Sequence, residues 1–396
     1  MARRSKFLPD SAIHRLVAHT MLHQLAWGVS GVFIVVFLLR SGVPPAGIFL
    51  AVTAIFALRF ALRPLVLLVV PTIGPRRTLI LGTLLVSLQY PALALVHGIG
   101  PALPLFCFVT ALGDVFYWTC YHAFYAAAGD AERLGSQVGQ RSLLGAASAA
   151  LGPVLGGFML TAFGPWAAFG TAAAIEIAAT LPLLDVAAPR FERVAPRGAY
   201  AAARKGILLF CTDGWIVCCS AYAWDMVAFR TLGARFDAFG GMLAAAAIAG
   251  ALGGAIFGRL IDTRHARRAA WFSVAVCAFC LVMKSVSGFN PVLVVGAATL
   301  SNMLTGIYVP SLMAAVYNQA KSAPCPLRFQ VAAEGGWDVG AASGCLVAAA
   351  ACMLDAPLQA VILLALPGVA MQGYLLSGIY ARGGHGRLAA GRVAAE

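Results

Sequence analysis

The chain has 396 residues, of which 61% are hydrophobic and only 11% are charged, and its formal net charge is +13. This apolar content exceeds what the core of a soluble globule can hide, so a polytopic membrane protein is predicted. A positive charge would favour nucleic-acid binding in a soluble domain. Here the basic residues lie in short gaps between apolar runs, as membrane topology requires, so we expect a lipid bilayer and no nucleic acid as partner.

The N-terminal segment, Met1 to Lys6, precedes an apolar stretch that is too long for a signal-peptide core and lacks a small-residue cleavage site. We therefore expect this first segment to be retained as an anchor. The 10 cysteines fall almost all within apolar runs, where cysteine behaves as a small buried hydrophobe. The pair Cys277 and Cys280 has no companion pair, so we expect neither a zinc site nor a cofactor.

Twelve membrane spans can be counted, because a transmembrane helix needs about 20 apolar residues and the runs are broken at proline, glycine and charge. Numbered in chain order, spans 1 to 12 are predicted at residues 14–40, 45–70, 77–97, 101–126, 137–162, 165–186, 205–231, 236–260, 268–287, 291–318, 327–352 and 356–381. The only long internal linker, 187–204, separates an N-terminal bundle of six helices (1–186) from a C-terminal bundle of six with a short tail (205–396).

The orientation is predicted from the distribution of lysine and arginine. The tail before span 1, the turns after even-numbered spans and the C-terminal tail contain 21 of the 28 basic residues, whereas the odd-numbered turns and the ends beside them contain four. Basic residues accumulate on the cytoplasmic side of a membrane. Both termini are therefore predicted to be cytoplasmic, in a bacterial-type inner membrane.

The two halves echo each other in sequence. Gln137-Val-Gly-Gln-Arg141 opens span 5, and Gln330-Val-Ala-Ala-Glu334 opens span 11, 193 residues later. The basic turns after spans 2 and 8 repeat at nearly the same offset. Parallel six-helix repeats are the architecture of one large class of transporters.

Two motifs extend this likeness. The turn after span 8, from Gly258 through Asp262 to Arg267 and Arg268, looks like the Gly-x-x-x-Asp signature of that class, whereas the first half has Leu67 and Pro71 at the glycine and aspartate positions. Span 5 contains a Gly-Pro-x-x-Gly-Gly element formed by Gly152, Pro153, Gly156 and Gly157. Small residues four apart allow helix backbones to approach closely, so plain close packing is the alternative reading of this element.

With this topology and these motifs, the chain resembles the major facilitator superfamily of secondary transporters. The resemblance implies twelve helices in two pseudo-symmetric six-helix bundles, a monomer, and no enzymatic activity. The span 5 element is similar to one that is common in proton-coupled drug antiporters of that superfamily.

In such a fold, spans 1, 4, 7 and 10 line a central cavity, and the polar residues of this chain concentrate in these spans. The candidates for proton coupling or substrate contact are His23, Asp114, Tyr117, Tyr121, His122, Asp213, Asp225 and Tyr308. His19 and His23 share a helix face and could bind a metal together with His122, but no fourth ligand is evident, so no metal site is predicted. A proton relay or substrate hydrogen bonding, and plain hydrogen bonding between helices, are the other readings of these histidines. Glu176 in span 6 is an exception that the pattern does not explain.

Charged residues are also matched between spans 2 and 11. Arg59 and Arg63 are four residues apart, as are Glu334 and Asp338. Counted from the predicted cytoplasmic ends, Arg63 lies as deep as Glu334, and Arg59 lies as deep as Asp338. We therefore expect a latch of two ion pairs between the halves, with pairing inside each half as the alternative.

The function predicted from the sequence is secondary active transport of a small organic solute, coupled to protons, with export slightly favoured over uptake. Asp114, near the middle of span 4, is the leading candidate for the coupling carboxyl group, unless it simply pairs with Arg59. The alternatives are a proton-coupled uptake symporter and a receptor or scaffold that keeps the fold without transport. No phosphate loop or nucleophile elbow favours an enzyme.

Overall fold

The structure is a computed structural model that describes residues 10–127, 135–186, 196–257 and 266–393. Within these ranges the chain forms helices and turns, and none of the described residues lies in a β-strand. Every predicted span coincides with one helix or with consecutive helical segments, so the all-α polytopic fold is confirmed. The linker prediction lies partly outside the described residues, because residues 187–195 are not among them.

The first six spans follow the predicted order. Span 1 consists of Asp10–Val29, a 3-10 turn Gly31–Phe33 and Ile34–Arg40; span 2 of Pro45–Leu62 and Leu65–Ile73; span 3 of Pro75–Ala94; span 4 of Ala102–Ala127; span 5 of Gly135–Ala162; and span 6 of Gly164–Ala178 followed by a 3-10 turn Leu181–Leu183. Gly74 joins spans 2 and 3 with a φ of +87°, a conformation that suits glycine and lets the turn be this short.

The second six spans are more continuous. Span 7 is Arg204–Thr231, span 8 Phe236–Phe257, span 9 Ala266–Ser287, span 10 Pro291–Ser322, span 11 Pro326–Met353, and span 12 consists of Leu358–Leu363 and Leu366–Val393. Span 12 therefore continues well past the predicted end at residue 381. The prediction placed that end where charges begin, which marks the edge of the apolar region and not the end of the helix.

The helices have the length and composition that a bilayer requires. Among the described residues, nine helices are long and apolar enough to cross a membrane. Three shorter apolar stretches, Ala147–Ala162, Trp271–Ser287 and Pro291–Thr305, belong to spans 5, 9 and 10. Together these account for all twelve spans, so the chain is an integral membrane protein.

Span 2 is interrupted at Arg63 and Pro64. Proline has no amide hydrogen, so the bond that residue 64 would donate to the preceding turn is missing. The second segment restarts with Val66 donating to the carbonyl of Arg63 at 3.1 Å. The interruption therefore falls directly beside one of the two arginines in this span.

Two apolar layers join the halves near the two ends of the bundle. We call the end where span 1 begins and span 6 ends the terminal face, and there Arg15 pairs with Asp185 at 3.0 Å. The terminal layer contains residues from both halves: Leu16, Val70, Leu79, Phe124, Cys325 and Leu327. The opposite layer contains Phe33 of span 1, whose ring centroid lies 5.9 Å from that of Phe239 in span 8. The space between the layers contains the charged residues of spans 2 and 11.

Candidate functional site between the two halves

Two arginines of span 2 are buried near the middle of the bundle. The side chains of Arg59 and Arg63 are 6% and 3% exposed. At about 1.5 Å per residue, Arg63 lies roughly 15 Å from the end of span 2 at Ile73. Since the hydrocarbon core is about 30 Å thick, this is close to its midplane. Guanidinium groups at that depth need anionic partners or water.

Asp338 of span 11 lies between these two arginines. Its Oδ1 atom is 3.0 Å from Nε of Arg59. Its Oδ2 atom accepts a hydrogen bond from Nε of Arg63 at 2.8 Å and another from Nη2 of Arg63. One carboxylate from the C-terminal half therefore bridges both arginines of the N-terminal half.

Glu334, one helical turn away in span 11, makes longer contacts. Its Oε2 atom lies 3.6 Å from Nη2 of Arg59 and 3.8 Å from Nη1 of Arg63. Its Oε1 atom lies 3.4 Å from Nε2 of His122 in span 4. The depth count paired Arg63 with Glu334, but Asp338 is the nearer partner, because a long arginine side chain can reach across a helical turn.

Span 4 supplies two further contacts to the arginines. Nη1 of Arg59 donates to Oδ2 of Asp114 at 3.1 Å, and Nη1 of Arg63 donates to Oγ1 of Thr119 at 3.0 Å. Asp114 therefore has an arginine partner, which is the pairing that the sequence left as the alternative. Thr119 was not anticipated, since a single threonine in an apolar helix carries no distinguishing signal.

These contacts define the inter-half cluster: Arg59, Arg63, Asp114, His122, Glu334 and Asp338. Two arginines face three carboxyl groups, so with a neutral His122 the cluster has one more negative than positive charge. A net charge is costly in the interior of a membrane protein. One proton, on His122 or on a carboxyl group, would neutralise the cluster.

Trp337 connects the cluster to span 7. Its ring lies 5.5 Å from the guanidinium carbon of Arg59, and the ring of Phe56 lies 5.2 Å from the same atom. Such cation–π contacts stabilise a buried guanidinium. The indole nitrogen of Trp337 also donates to Oδ2 of Asp213 at 3.0 Å, which places this predicted site residue beside span 11.

Aromatic side chains of span 4 form a continuous series next to the cluster. Ring centroids are 5.1 Å apart for Tyr117 and Trp118, 5.6 Å for Trp118 and Tyr121, and 5.3 Å for Tyr121 and His122. Rings in this arrangement offer both faces and edges to a planar molecule. The series ends at His122, which contacts Glu334.

Other predicted site residues lie apart from the cluster. Asp225 in span 7 interacts electrostatically with Lys284 in span 9. His23 lies inside the N-terminal half, with its Nδ1 atom 2.8 Å from Oε1 of Glu176. The described residues contain no group of three or more His, Cys, Asp or Glu side chains suited to a metal.

Five residues of the predicted motifs and site lie wholly or partly outside the described residues. Gly258 and Asp262 lie outside the described residues, and so do the side chains of Tyr308, Arg267 and Arg268.

The glycines of the span 5 element pack in two directions. A Cβ atom at Gly156 would lie 2.0 Å from the carbonyl oxygen of Val29 in span 1. A Cβ atom at Gly157 would lie 2.5 Å from the carbonyl oxygen of Phe236 in span 8, and one at Gly240 would lie 2.2 Å from that of Pro153. The element therefore brings span 5 against its own half and also against the other half.

An all-helical membrane fold whose two halves meet at a buried charge cluster is typical of membrane transporters. A family model described as Major Facilitator Superfamily matches residues 16–324. Since this match covers most of the chain, the protein belongs to that superfamily. No curated protein matches the chain.

Solved structures of other transporters have the same fold. The human organic anion transporter MFSD10 aligns with a TM-score of 0.64 at 14% identity, over 93% of this chain and 100% of its own. The POT family transporter PepTSo aligns with a TM-score of 0.68 at 12% identity, over 94% and 98%. The E. coli fucose:proton symporter FucP aligns with a TM-score of 0.62 at 12% identity, over 92% and 98%. At these identities the likeness concerns the fold alone.

Proposed function

We propose that this member of the superfamily is a proton-coupled transporter that exports a small organic solute in exchange for protons, by alternating access. The observation that carries the proposal is the inter-half cluster, which joins spans 2 and 4 to span 11 and has an unequal number of cationic and anionic groups. Proton uptake and closure of the two halves are linked, because the closed cluster is electrically balanced only with one additional proton.

Glu334 and His122 are the proposed holders of that proton. Asp338 and Asp114 each lie about 3 Å from an arginine nitrogen, whereas the arginine contacts of Glu334 are 3.6 and 3.8 Å. A guanidinium favours the charged form of a nearby carboxyl group. The proton therefore belongs on the pair with the weakest arginine contacts, which is also the pair that includes a histidine.

Parting of the halves changes this balance. When span 11 moves away, Glu334 and Asp338 leave the arginines, and each group must be hydrated, protonated or bound by a solute. In exchange transport the solute and the proton occupy the cluster alternately, and the apolar layers at the two ends open in turn. The aromatic series of span 4 supplies a stacking surface for a planar organic solute beside the charges.

The proposal includes location and direction. The membrane is a bacterial-type inner membrane, and the terminal face is its cytoplasmic side, on the strength of the 21 basic residues out of 28 counted there. The rigid units are residues 1–186 and 205–396, joined by the linker. Antiport rests on the resemblance of the span 5 element to that of antiporters. Uptake by symport is the alternative, and the direction of proton flow distinguishes the two.

The test starts from purified protein. A thermal-shift panel of metabolites and drugs identifies solutes that bind, since a ligand of the folded state raises the melting temperature. Vesicles containing the protein and an internal pH dye are then exposed to an outward gradient of each hit. Antiport predicts that protons enter as the solute leaves, and symport predicts that both move outward. A ligand that binds and is not transported would instead identify a receptor.

A further inference from the structure

Glu176 of span 6 forms a second buried ion pair, away from the boundary between the halves. It is fully buried, and its Oε1 atom lies 2.8 Å from Nδ1 of His23 in span 1, whose side chain is 4% exposed. Isolated charges at such depth are costly, so the carboxyl group and the imidazole together must be close to neutral. The pair satisfies this requirement when it holds one proton in addition to the N–H of the neutral imidazole. That proton can be on His23, as an imidazolium beside a carboxylate, or on Glu176, as a carboxylic acid beside a neutral imidazole.

Titratable groups from three spans surround this pair. The ring of His23 stacks on Tyr117 of span 4, with centroids 4.1 Å apart, and on His19 of its own span at 6.4 Å. Tyr90 of span 3 lies near both Glu176 and Asp114. Asp114 also interacts electrostatically with His23. The pair therefore lies within electrostatic range of the inter-half cluster, of which Asp114 is a member.

Span 5 also packs against span 1. It meets that span through Gly152 and Gly156, which contribute no titratable group. Its one charged residue, Arg141, has a side chain outside the described residues.

Polar atoms of this region lack partners among the described residues. They are Nε2 of His19 and Oε2 of Glu176, whereas the hydroxyl of Tyr90 and the amide of Gln89 interact with each other. Buried polar groups in folded proteins are hydrogen-bonded in the great majority of cases, and ordered water supplies the bond where no side chain does. His19 of span 1 and Glu176 of span 6 therefore both need a polar partner, and His19 already contacts Ala179, just beyond Glu176, so one hydrated polar chamber can serve both.

We propose that His23 and Glu176, with water in this chamber, form a second proton-binding site. This site supplies protons, through Asp114, to the pair Glu334 and His122 of the inter-half cluster. All of its groups belong to the N-terminal half, so the site stays assembled while the halves move. In a transfer, the imidazolium of His23 releases its proton, the carboxylate of Asp114 takes it up, and a proton from the aqueous phase at the terminal face restores the pair. The net reaction moves one proton from that phase to Asp114, with no other reactant.

His19 lies on the entry side of the pair. It is one helical turn closer to the terminal face than His23, and its Nδ1 atom lies 2.8 Å from the carbonyl oxygen of Ala179. With Nδ1 bound in this way, Nε2 is the ring atom left without a partner among the described residues. The relay role rests on the proposed function, whereas proton binding by the pair does not, so the two can fail separately.

The test uses the fluorescence of Trp118, because a protonated imidazole quenches a nearby indole. The ring of Trp118 lies 5.8 Å from that of His23 and 5.8 Å from that of His122. The purified full-length protein is titrated in lipid nanodiscs between about pH 5 and pH 9, and the signal of Trp118→Phe is subtracted. We expect a quenching step that is absent in His23→Gln and in Glu176→Gln but remains in His122→Gln.

Two further variants separate the pair from the inter-half cluster. The step should remain in Glu176→Asp, which keeps the carboxyl group, and in Asp338→Asn, which breaks the inter-half cluster. Absence of any step in the wild type, an unaltered step in Glu176→Gln, or its loss in Asp338→Asn at a temperature where that variant is folded would overturn the proposal. If Glu176→Gln is not inserted into the membrane, infrared difference spectra between the two pH limits are recorded for the wild type and for His23→Gln. The band of a protonated carboxyl group then reports the protonation of Glu176. A carboxyl band that is unchanged by His23→Gln would then contradict a shared proton.

Discussion

The carboxylate of Asp338 accepts a hydrogen bond from Nε of Arg63 at 2.8 Å across the boundary between the two halves, and these residues are 275 positions apart in the chain. The same carboxylate lies 3.0 Å from Nε of Arg59. No other acid of the cluster approaches both arginines as closely. Separation of the halves therefore requires that this one carboxylate lose two cationic partners together.

Loss of the Asp338 charge should destabilise the protein strongly. Asp338→Asn leaves two buried arginines with weaker partners, and removing one member of a buried pair costs about 3–5 kcal/mol. We expect a large fall in melting temperature and loss of transport. Asp237→Asn is the matched control, because its ion pair with Arg235 is largely exposed and such pairs contribute at most about 1 kcal/mol. Equal effects of the two substitutions would contradict the buried bridge.

A charge swap tests the contact between the halves directly. Arg59→Asp places a fourth acid in the cluster, and Asp338→Arg places a third arginine there, so each single variant should lose transport. The double variant restores the charge count and one of the pairs, and should recover a measurable part of the transport rate. If all three variants are inserted and the double variant is no better than the singles, the contact does not operate during transport.

Two carboxyl variants distinguish the residue that carries the coupling proton. If Glu334 and His122 hold it, Glu334→Gln should still exchange solute across the membrane but lose accumulation against a gradient and lose pH dependence. Asp114→Asn should slow proton-driven accumulation, because the proposed relay passes through Asp114, but it should keep the pH dependence of solute exchange. It should also lower stability, because Arg59 loses a partner. Uptake into vesicles with and without a pH gradient is the measurement. The reverse result would return the coupling role to Asp114, the candidate that the sequence suggested.

Neighbouring glycines of span 8 offer a matched test of the contact with span 5. A Cβ atom at Gly240 would lie 2.2 Å from the carbonyl oxygen of Pro153, whereas one at Gly241 would meet nothing within 4 Å. We expect Gly240→Ala to destabilise the protein by about 1–3 kcal/mol through overpacking. Gly241→Ala should be neutral or slightly stabilising. Indistinguishable melting temperatures would mean that the halves do not pack as closely as described.

Orientation can be measured with single cysteines in a cysteine-free background. Arg197 near span 7 and Ile99 in the turn between spans 3 and 4 are both exposed, Ile99 by 73%. The excess of basic residues predicts that Arg197→Cys reacts with an impermeant maleimide only from the cytoplasmic side and Ile99→Cys only from the other side. The opposite labelling pattern would overturn the predicted orientation, and with it the depth count that matched spans 2 and 11.

Much of the fold was predictable from hydropathy. The twelve spans follow from the lengths of apolar runs, since a bilayer allows few alternatives for such segments. Helix ends were predicted less well. Span 12 continues to Val393, past residue 381, because a helix can extend beyond the apolar region into water.

The charged site was predictable only in part. The depth count along the helix axis showed that the charges of spans 2 and 11 lie at matching depths in the membrane. It could not identify Asp338 as the partner shared by both arginines, because an arginine side chain is longer than the rise of one helical turn. Glu176 was unexplained because its partner His23 lies in another span. Applying the depth count to spans 1 and 6 would have suggested this pair, as it did for spans 2 and 11.

The separation of Arg63 and Asp338 in the chain also affects how the protein is made. Synthesis proceeds at about 5–20 residues per second, so the 275 intervening residues take roughly 14 to 55 s. Asp114 appears 55 residues after Arg59 and can neutralise one arginine early. The other must wait in the bilayer or the insertion machinery, at about 2.5–3.5 kcal/mol for a buried arginine, until span 11 arrives. A chain that stops before span 11 therefore carries an uncompensated positive charge in span 2, and the first six spans are poorly suited to exist as a separate protein.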